Sequence, residues 1–227
     1  MPILRTIKHL LTFRLTRLEM LHFNRKHFIA GLLGTWVAGI GRYWDSDDAS
    51  LLQHLGLGSV IYIFVLSAFI WLIVKPYFVD DWNYFTVLTF ISLTSFPAIF
   101  YAIPVERFFT LKTANEMNVW FLIVVASWRL SLLYYFLNCF TRLGFGQIVT
   151  ITLLPICLII TTLTMLNLHK VVFDLMGGLS KETPHDGAYG VLIFLTVISA
   201  ILIVPLIISY GNGIYNRQKE RKNKLSN

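Results

Sequence analysis

The chain has 227 residues, 56% of them hydrophobic and only 14% charged, and its mean hydropathy is +0.67. Soluble domains carry nearer a quarter charged residues, so a water-soluble globular fold is excluded and lipid must be the solvent for most of the chain. The formal charge of +7 comes from 19 Lys and Arg against 12 Asp and Glu, and where these charges fall matters more than their sum.

Residues 1–27 open the chain with an amphipathic, basic segment. Ile3, Leu4, Ile7, Leu10, Leu11, Leu15, Leu18 and Leu21 recur at helical spacing, while Arg5, Lys8, Thr12 and Arg17 fall mainly elsewhere on the wheel. This pattern predicts an interfacial helix on the cytoplasmic leaflet, with packing on a partner protein as the alternative. The segment has no apolar core followed by a small-residue cleavage site, so a removable signal peptide is not expected.

A spanning helix needs about 20 apolar residues. Six segments come close: Phe28 to Trp44, Gly56 to Val74, Tyr84 to Ile103, Val119 to Cys139, Gly146 to Leu168 and Gly190 to Tyr210. The first is short and holds Gly31, Gly34, Gly39 and Gly41, which suits a tightly packed span or a re-entrant hairpin. The expected fold is therefore all-α: a polytopic bundle over residues 28–210 with six spans, or five if the first is re-entrant, followed by a basic tail over residues 211–227.

Basic residues collect in short cytoplasmic loops. Six precede Phe28 (Arg5, Lys8, Arg14, Arg17, Arg25 and Lys26) and five follow Tyr210 (Arg217, Lys219, Arg221, Lys222 and Lys224). Both termini are thus expected in the cytoplasm, which requires an even number of spans and adds Lys75 and Arg142 to that side. An integral membrane protein is implied, of the inner membrane if the chain is bacterial. The basic tail reads as an orientation anchor rather than a nucleic-acid site, and the expected partners are the lipid bilayer and other membrane proteins or a second copy.

Arg129 stands eleventh in the 21-residue apolar run from Val119 to Cys139. Charge at that depth is costly and marks either a structural clasp or a functional contact with an anion or headgroup. On the same helix Ser127, Ser131, Tyr134 and Asn138 form a polar stripe, and Arg129 lies about 200° around from Ser127, away from it. In the next span Thr150, Cys157, Thr161 and Thr164 share a face. Such stripes serve as packing seams between neighbouring helices or as a pathway for solute. No Asp or Glu lies inside any span. Partners for Arg129 are therefore sought in Glu106, in Asp45, or in carbonyls freed by Pro97 or Pro155.

The outer face gathers the remaining chemistry: Asp45, Asp47, Asp48 and His54 after the first span, Glu106 after the third, and His185 in the loop before the last. Carboxylates and imidazoles are the usual metal ligands and acid–base groups. Their spacing nevertheless matches neither a calcium loop nor a zinc-binding helix, and a solvated acidic loop is the plainer reading. Gly177-Gly178 lacks the context of a phosphate loop, and nothing calls for a cofactor.

From residue 56 to 210 the arrangement resembles the Yip family of small integral membrane proteins. The resemblance rests on five successive spans, on Gly56-Leu57-Gly58-Ser59 opening the first of them, and on the proline-bearing stretches SLTSFPAIFYAIPVE (Ser92 to Glu106) and TLLPICLIITTL (Thr152 to Leu163). The chain departs from that family in its extra first span, in its expected cytoplasmic C-terminus and in lacking the aspartate-leucine-tyrosine-glycine-proline signature. The resemblance implies a non-enzymatic protein that recruits partners or shapes bilayers. A small-solute transporter or channel, and an enzyme or metal site on the outer face, are the other classes the residues leave open.

Overall fold

The computed structural model describes residues 2–44, 51–168 and 187–226, and all regular structure within them is helical. Nine α-helices are present there: α1 (Ile3–Leu11), α2 (Arg17–Leu21), α3 (Arg25–Gly41), α4 (Leu51–His54), α5 (Leu57–Val74), α6 (Tyr84–Leu93), α7 (Leu111–Thr141), α8 (Phe145–Met165) and α9 (Gly187–Ser226). Five helical segments are long and apolar enough to cross a membrane, namely Leu57–Tyr77, Tyr84–Ala102, Glu116–Thr141, Phe145–Met165 and Ile193–Asn223. The protein is a polytopic helical bundle.

The centre of that bundle is α6. Of the Tyr84–Ala102 segment 61% is buried, against 22% of Leu57–Tyr77, and every residue from Thr86 to Ser95 is buried. Two of its buried hydroxyls turn back on helix carbonyls, Ser92 donating to Thr89 O at 2.8 Å and Thr94 to Ile91 O at 2.7 Å, while Thr89 Oγ1 is buried with no partner among the described residues. The α-helix stops at Leu93 and the span continues as a 3-10 helix over Phe96–Ala102, with Pro97 in its first turn. Proline has no N–H to donate to an α-helical ladder, so this third span is a broken one rather than the uniform helix its apolar run suggests.

The first apolar segment is one unbroken helix, α3, rather than a hairpin. Its 17 residues start at the Asn24 cap and rise about 26 Å, short of a hydrocarbon core of about 30 Å. It runs parallel to α6, and its glycines are where the two backbones close up. A Cβ on Gly34 would sit 2.8 Å from the Phe96 ring and one on Gly41 2.7 Å from Ala102 Cβ, while one on Gly31 would overlap Ser92 Oγ. On another side of α3, a Cβ on Gly39 would come within 2.7 Å of Ser59 Oγ, and Trp36 Nε1 donates to Leu55 O at 2.8 Å. Gly56, at φ 65°, makes the tight entry into α5 there.

Successive helices then alternate in direction and bring the two basic termini to one end. At that end Arg17 donates to Asp81 Oδ2 at 3.4 Å, Arg217 donates to Arg142 O at 3.4 Å, and the Arg221 guanidinium lies 4.5 Å from the Phe78 ring centroid. We call this the terminal end and the other the distal end. The last helix continues without a break from Gly187 to Ser226, so the basic tail prolongs the sixth segment.

The amphipathic N-terminus divides into α1 and α2, parted by Phe13 at φ 56°. Its apolar face is spent largely on the bundle itself. Leu10, Leu15 and Met20 are fully buried in the same core as Phe90, Phe136 and Phe140, while Leu4 and Leu18 remain exposed and available to the interface. Thr16 and Glu19 close a capping box at the start of α2, and His9 Nδ1 lies 3.2 Å from Glu19 Oε1. The Thr16 backbone N–H, bonded to the carboxylate at 2.8 Å, holds Glu19 below the ordinary carboxylate range; burial opposes this, and the Thr16 hydroxyl and His9 add to it.

Two measurements follow from this packing. Gly31→Val should lower the thermal midpoint in detergent, at a cost of about 1–3 kcal/mol from overpacking, whereas Gly58→Ala, which meets nothing within 4 Å, should leave it nearly unchanged. Because the Glu19 pKa is depressed on folding, its contribution is present above the unfolded value and lost as pH falls through the lowered one. Hydrogen exchange across α2, corrected for intrinsic rates, should therefore rise below the ordinary carboxylate range in the wild-type protein. In Glu19→Gln it should be raised already at neutral pH and vary little over that window.

Candidate functional site

The face of α7 that enters the bundle is built from Val125, Arg129, Leu132, Phe136 and Phe140, which follow one another at three, four and four residues' spacing after the first step of four. Phe136 stacks on Phe90 of α6 with centroids 4.0 Å apart, Phe140 packs on Phe136 and Trp82, and Val125 packs with Ala38 and Ala98. These contacts fix how α7 is rotated about its axis. Arg129, on the same line, is thereby turned inward.

Its neighbours there are aromatic. The Arg129 guanidinium lies 5.8 Å from the Tyr62 ring centroid. The Arg42 guanidinium sits 5.0 Å from the Tyr101 centroid and 5.6 Å from that of Tyr43. Close by, Arg107 lies 4.8 Å from the Trp44 ring, and Trp44 Nε1 donates to Ala102 O at 3.1 Å. A guanidinium over a ring face is attracted by the ring quadrupole. Its N–H donors lie in its own plane and stay free for an acceptor.

Of the partners sought in the sequence, the Asp45 and Glu106 side chains lie outside the described residues. Among the described residues Arg129 has no hydrogen bond to a carbonyl beside Pro97 or Pro155, and the ion pairs there are His9–Glu19, Arg17–Asp81 and Arg217–Glu220. The site also lies toward the distal end, since Tyr62 is in the second turn of α5 and Tyr101 near the end of its 3-10 helix. Tyr62, Tyr101 and Arg42 were legible only as aromatic and basic residues near span ends, and a search confined to oxygen ligands passes over them.

Ser127, Ser131 and Asn138 point the other way. All three are exposed, and no hydrogen bond holds their side chains among the described residues. Other hydroxyls in the bundle do bond locally: Ser67 to Ile63 O at 2.5 Å, Thr35 to Gly31 O at 2.9 Å, Thr141 to Leu137 O at 2.6 Å. Tyr134, at the edge of the stripe, packs edge-on against Phe145 with centroids 6.3 Å apart. The stripe of α8 is a seam, but with α9 rather than α7: Thr150 shares a 2.8 Å hydrogen bond with Ser209, and Cys157 packs with Leu206. Thr161 Oγ1 is buried without a partner among the described residues.

Of the outer-face cluster, Asp45, Asp47, Asp48 and His185 lie outside the described residues. His54 ends α4, and Glu106 occupies the 3-10 turn Val105–Arg107. Among the described residues no three His, Cys, Asp or Glu side chains come together as metal ligands. Comparison of the chain with family models, curated proteins and solved structures yields no match.

Replacing the ring beneath Arg129 tests whether it anchors the side chain. Tyr62→Leu should lower the thermal midpoint by the equivalent of about 0.5–1 kcal/mol, and Tyr62→Phe should retain most of the wild-type value.

Proposed function

We propose that this integral membrane protein is a scaffold that assembles with a second copy of itself through the outward face of α7, an activity of the kind the Yip resemblance implies. The observation carrying this reading is the exposure of Ser127, Ser131 and Asn138, without hydrogen-bond partners among the described residues, on a helix whose other face is packed. In hydrocarbon such groups gain most from the face of another helix that offers donors and acceptors. Serine and asparagine carry both, so the same face on a second copy satisfies the first about a two-fold axis.

The packed interior supports an interaction role over transport. Along the inward face of α7, the space beside α6 is filled by Phe90, Phe136 and Phe140, and a solute path along Ser127 and Asn138 would need its outer wall from another chain. The charge distribution supports placing the terminal end in the cytoplasm, since it gathers both basic termini together with Lys75 and Arg142.

Self-association is measurable by energy transfer between differently labelled copies in phosphatidylcholine bilayers, diluted with lipid to separate specific pairing from crowding. The wild type should pair, and Ser131→Leu with Asn138→Leu should weaken pairing about tenfold, as expected for losing interhelical hydrogen bonds of about 0.6–2 kcal/mol each. A wild type that stays monomeric at every dilution, or a double variant that pairs equally well, overturns the reading.

A further inference from the structure

We propose that the groove between α8 and α9 at the terminal end binds a phospholipid whose anionic headgroup carries hydroxyl groups. The groove has a volume of about 510 Å³, within the range of sites that hold a small molecule. One wall is a stripe of α9 formed by Pro205, Ile208, Asn212 and Asn216, which recur at three or four residues, and the other is the first turn of α8 with Gly146 and Gln147. Both helices independently fix its depth in the bilayer. The apolar run of α9 ends at Tyr210, so Pro205 and Ile208 lie inside it and Asn212 and Asn216 beyond it, while Gly146 and Gln147 stand at the start of the apolar helix Phe145–Met165. The groove therefore crosses from hydrocarbon into the headgroup layer, with an apolar end for an acyl chain and amides for the headgroup.

The amides are available to a ligand. Asn212 and Asn216 are exposed and have no hydrogen bond among the described residues. Gln147 accepts the Gly144 N–H on Oε1 at 3.2 Å, which orients its side chain and leaves its NH2 group without a partner among the described residues. An amide both donates and accepts, so it matches hydroxyl and phosphate oxygens and finds no such match in a quaternary ammonium. Gly146 keeps the groove clear, because a Cβ there would meet nothing within 4 Å. The sign of the headgroup follows from the charges on either side. Arg142 precedes the Gly144 cap of α8, Arg217 follows Asn216 and donates to Arg142 O at 3.4 Å, and Lys219, Arg221 and Lys222 continue the same helix. The one acid of the tail, Glu220, is paired with Arg217. Basic side chains at the edge of the headgroup layer attract anionic lipid. The groove belongs to α8 and α9, so this reading is independent of pairing through α7.

The test is native mass spectrometry of the full chain in a neutral detergent, offered equal amounts of dioleoylphosphatidylglycerol and dioleoylphosphatidylcholine. The wild type should retain phosphatidylglycerol in preference to phosphatidylcholine. Asn212→Leu with Asn216→Leu should weaken that retention about tenfold or more, as expected for losing hydrogen bonds to a charged group. Gly146→Leu should do the same by filling the groove, and it decides the matter should the double variant not fold. Gly58→Leu, placed on α5 with equal space around its Cβ, should match the wild type. Lys222→Gln removes one charge from the tail at a position that does not line the groove, and it should change retention little. Equal retention of the two lipids, wild-type retention by Gly146→Leu or by the folded double variant, or an equal loss in Gly58→Leu or Lys222→Gln overturns the proposal. A protein dimer that Gly146→Leu abolishes, in place of a lipid adduct, also overturns it, because a second copy would then fill the groove.

Discussion

Burial of α6 is the constraint on which the rest of this structure depends. A helix surrounded by others gains from satisfying its polar groups internally, as Ser92 and Thr94 do by bonding back to the previous turn, although Thr89 Oγ1 has no partner among the described residues. It must also be approached closely, which α3 achieves by presenting Gly31, Gly34 and Gly41 to Ser92, Phe96 and Ala102. In lipid there is little hydrophobic gain from bringing helices together, so close packing of this kind supplies much of the association energy. The short α3 is held by that fit despite being less than a full membrane thickness long.

The same core sets the rotation of α7. Once Phe136 stacks on Phe90 and Phe140 lies against Trp82, the helical repeat leaves no freedom for the residues above and below. Arg129, seven residues before Phe136, must face inward, and Ser127 and Ser131 must face out. Two chemically different surfaces are thereby produced from one helix: an inward face on which Arg129 lies beside the Tyr62 ring, and a polar outer stripe. They require no local specialisation of the backbone, only the placement of residues on the wheel.

Much of this was legible in the sequence, for definite reasons. The spans follow from apolar length, the shared location of the termini from the clustering of Lys and Arg, and the opposition of Arg129 to the serine stripe from angular spacing alone. What the wheel cannot supply is which side of a helix faces the protein. The stripe on α7 reads equally well as a seam against α8, yet α8 instead spends its hydroxyl face on α9, through Thr150 and Ser209. The break at Phe96 is signalled by Pro97, but the 3-10 continuation is a matter of tertiary packing. The amphipathic pattern of the first 27 residues is likewise ambiguous, because a bundle end and a bilayer surface accept the same apolar face; Leu10 and Leu15 meet the former.

The direction in which α7 faces decides both surfaces at once and is open to a direct check. In a Cys139→Ala, Cys157→Ala background, Tyr62→Cys can be combined with Arg129→Cys or with Ser131→Cys and treated with a short bifunctional thiol reagent in the membrane. The account predicts an efficient cross-link within one chain for Tyr62→Cys with Arg129→Cys, and none for Tyr62→Cys with Ser131→Cys. The reverse result, a link to position 131 and none to 129, would contradict the orientation of α7 and with it the proposed pairing face.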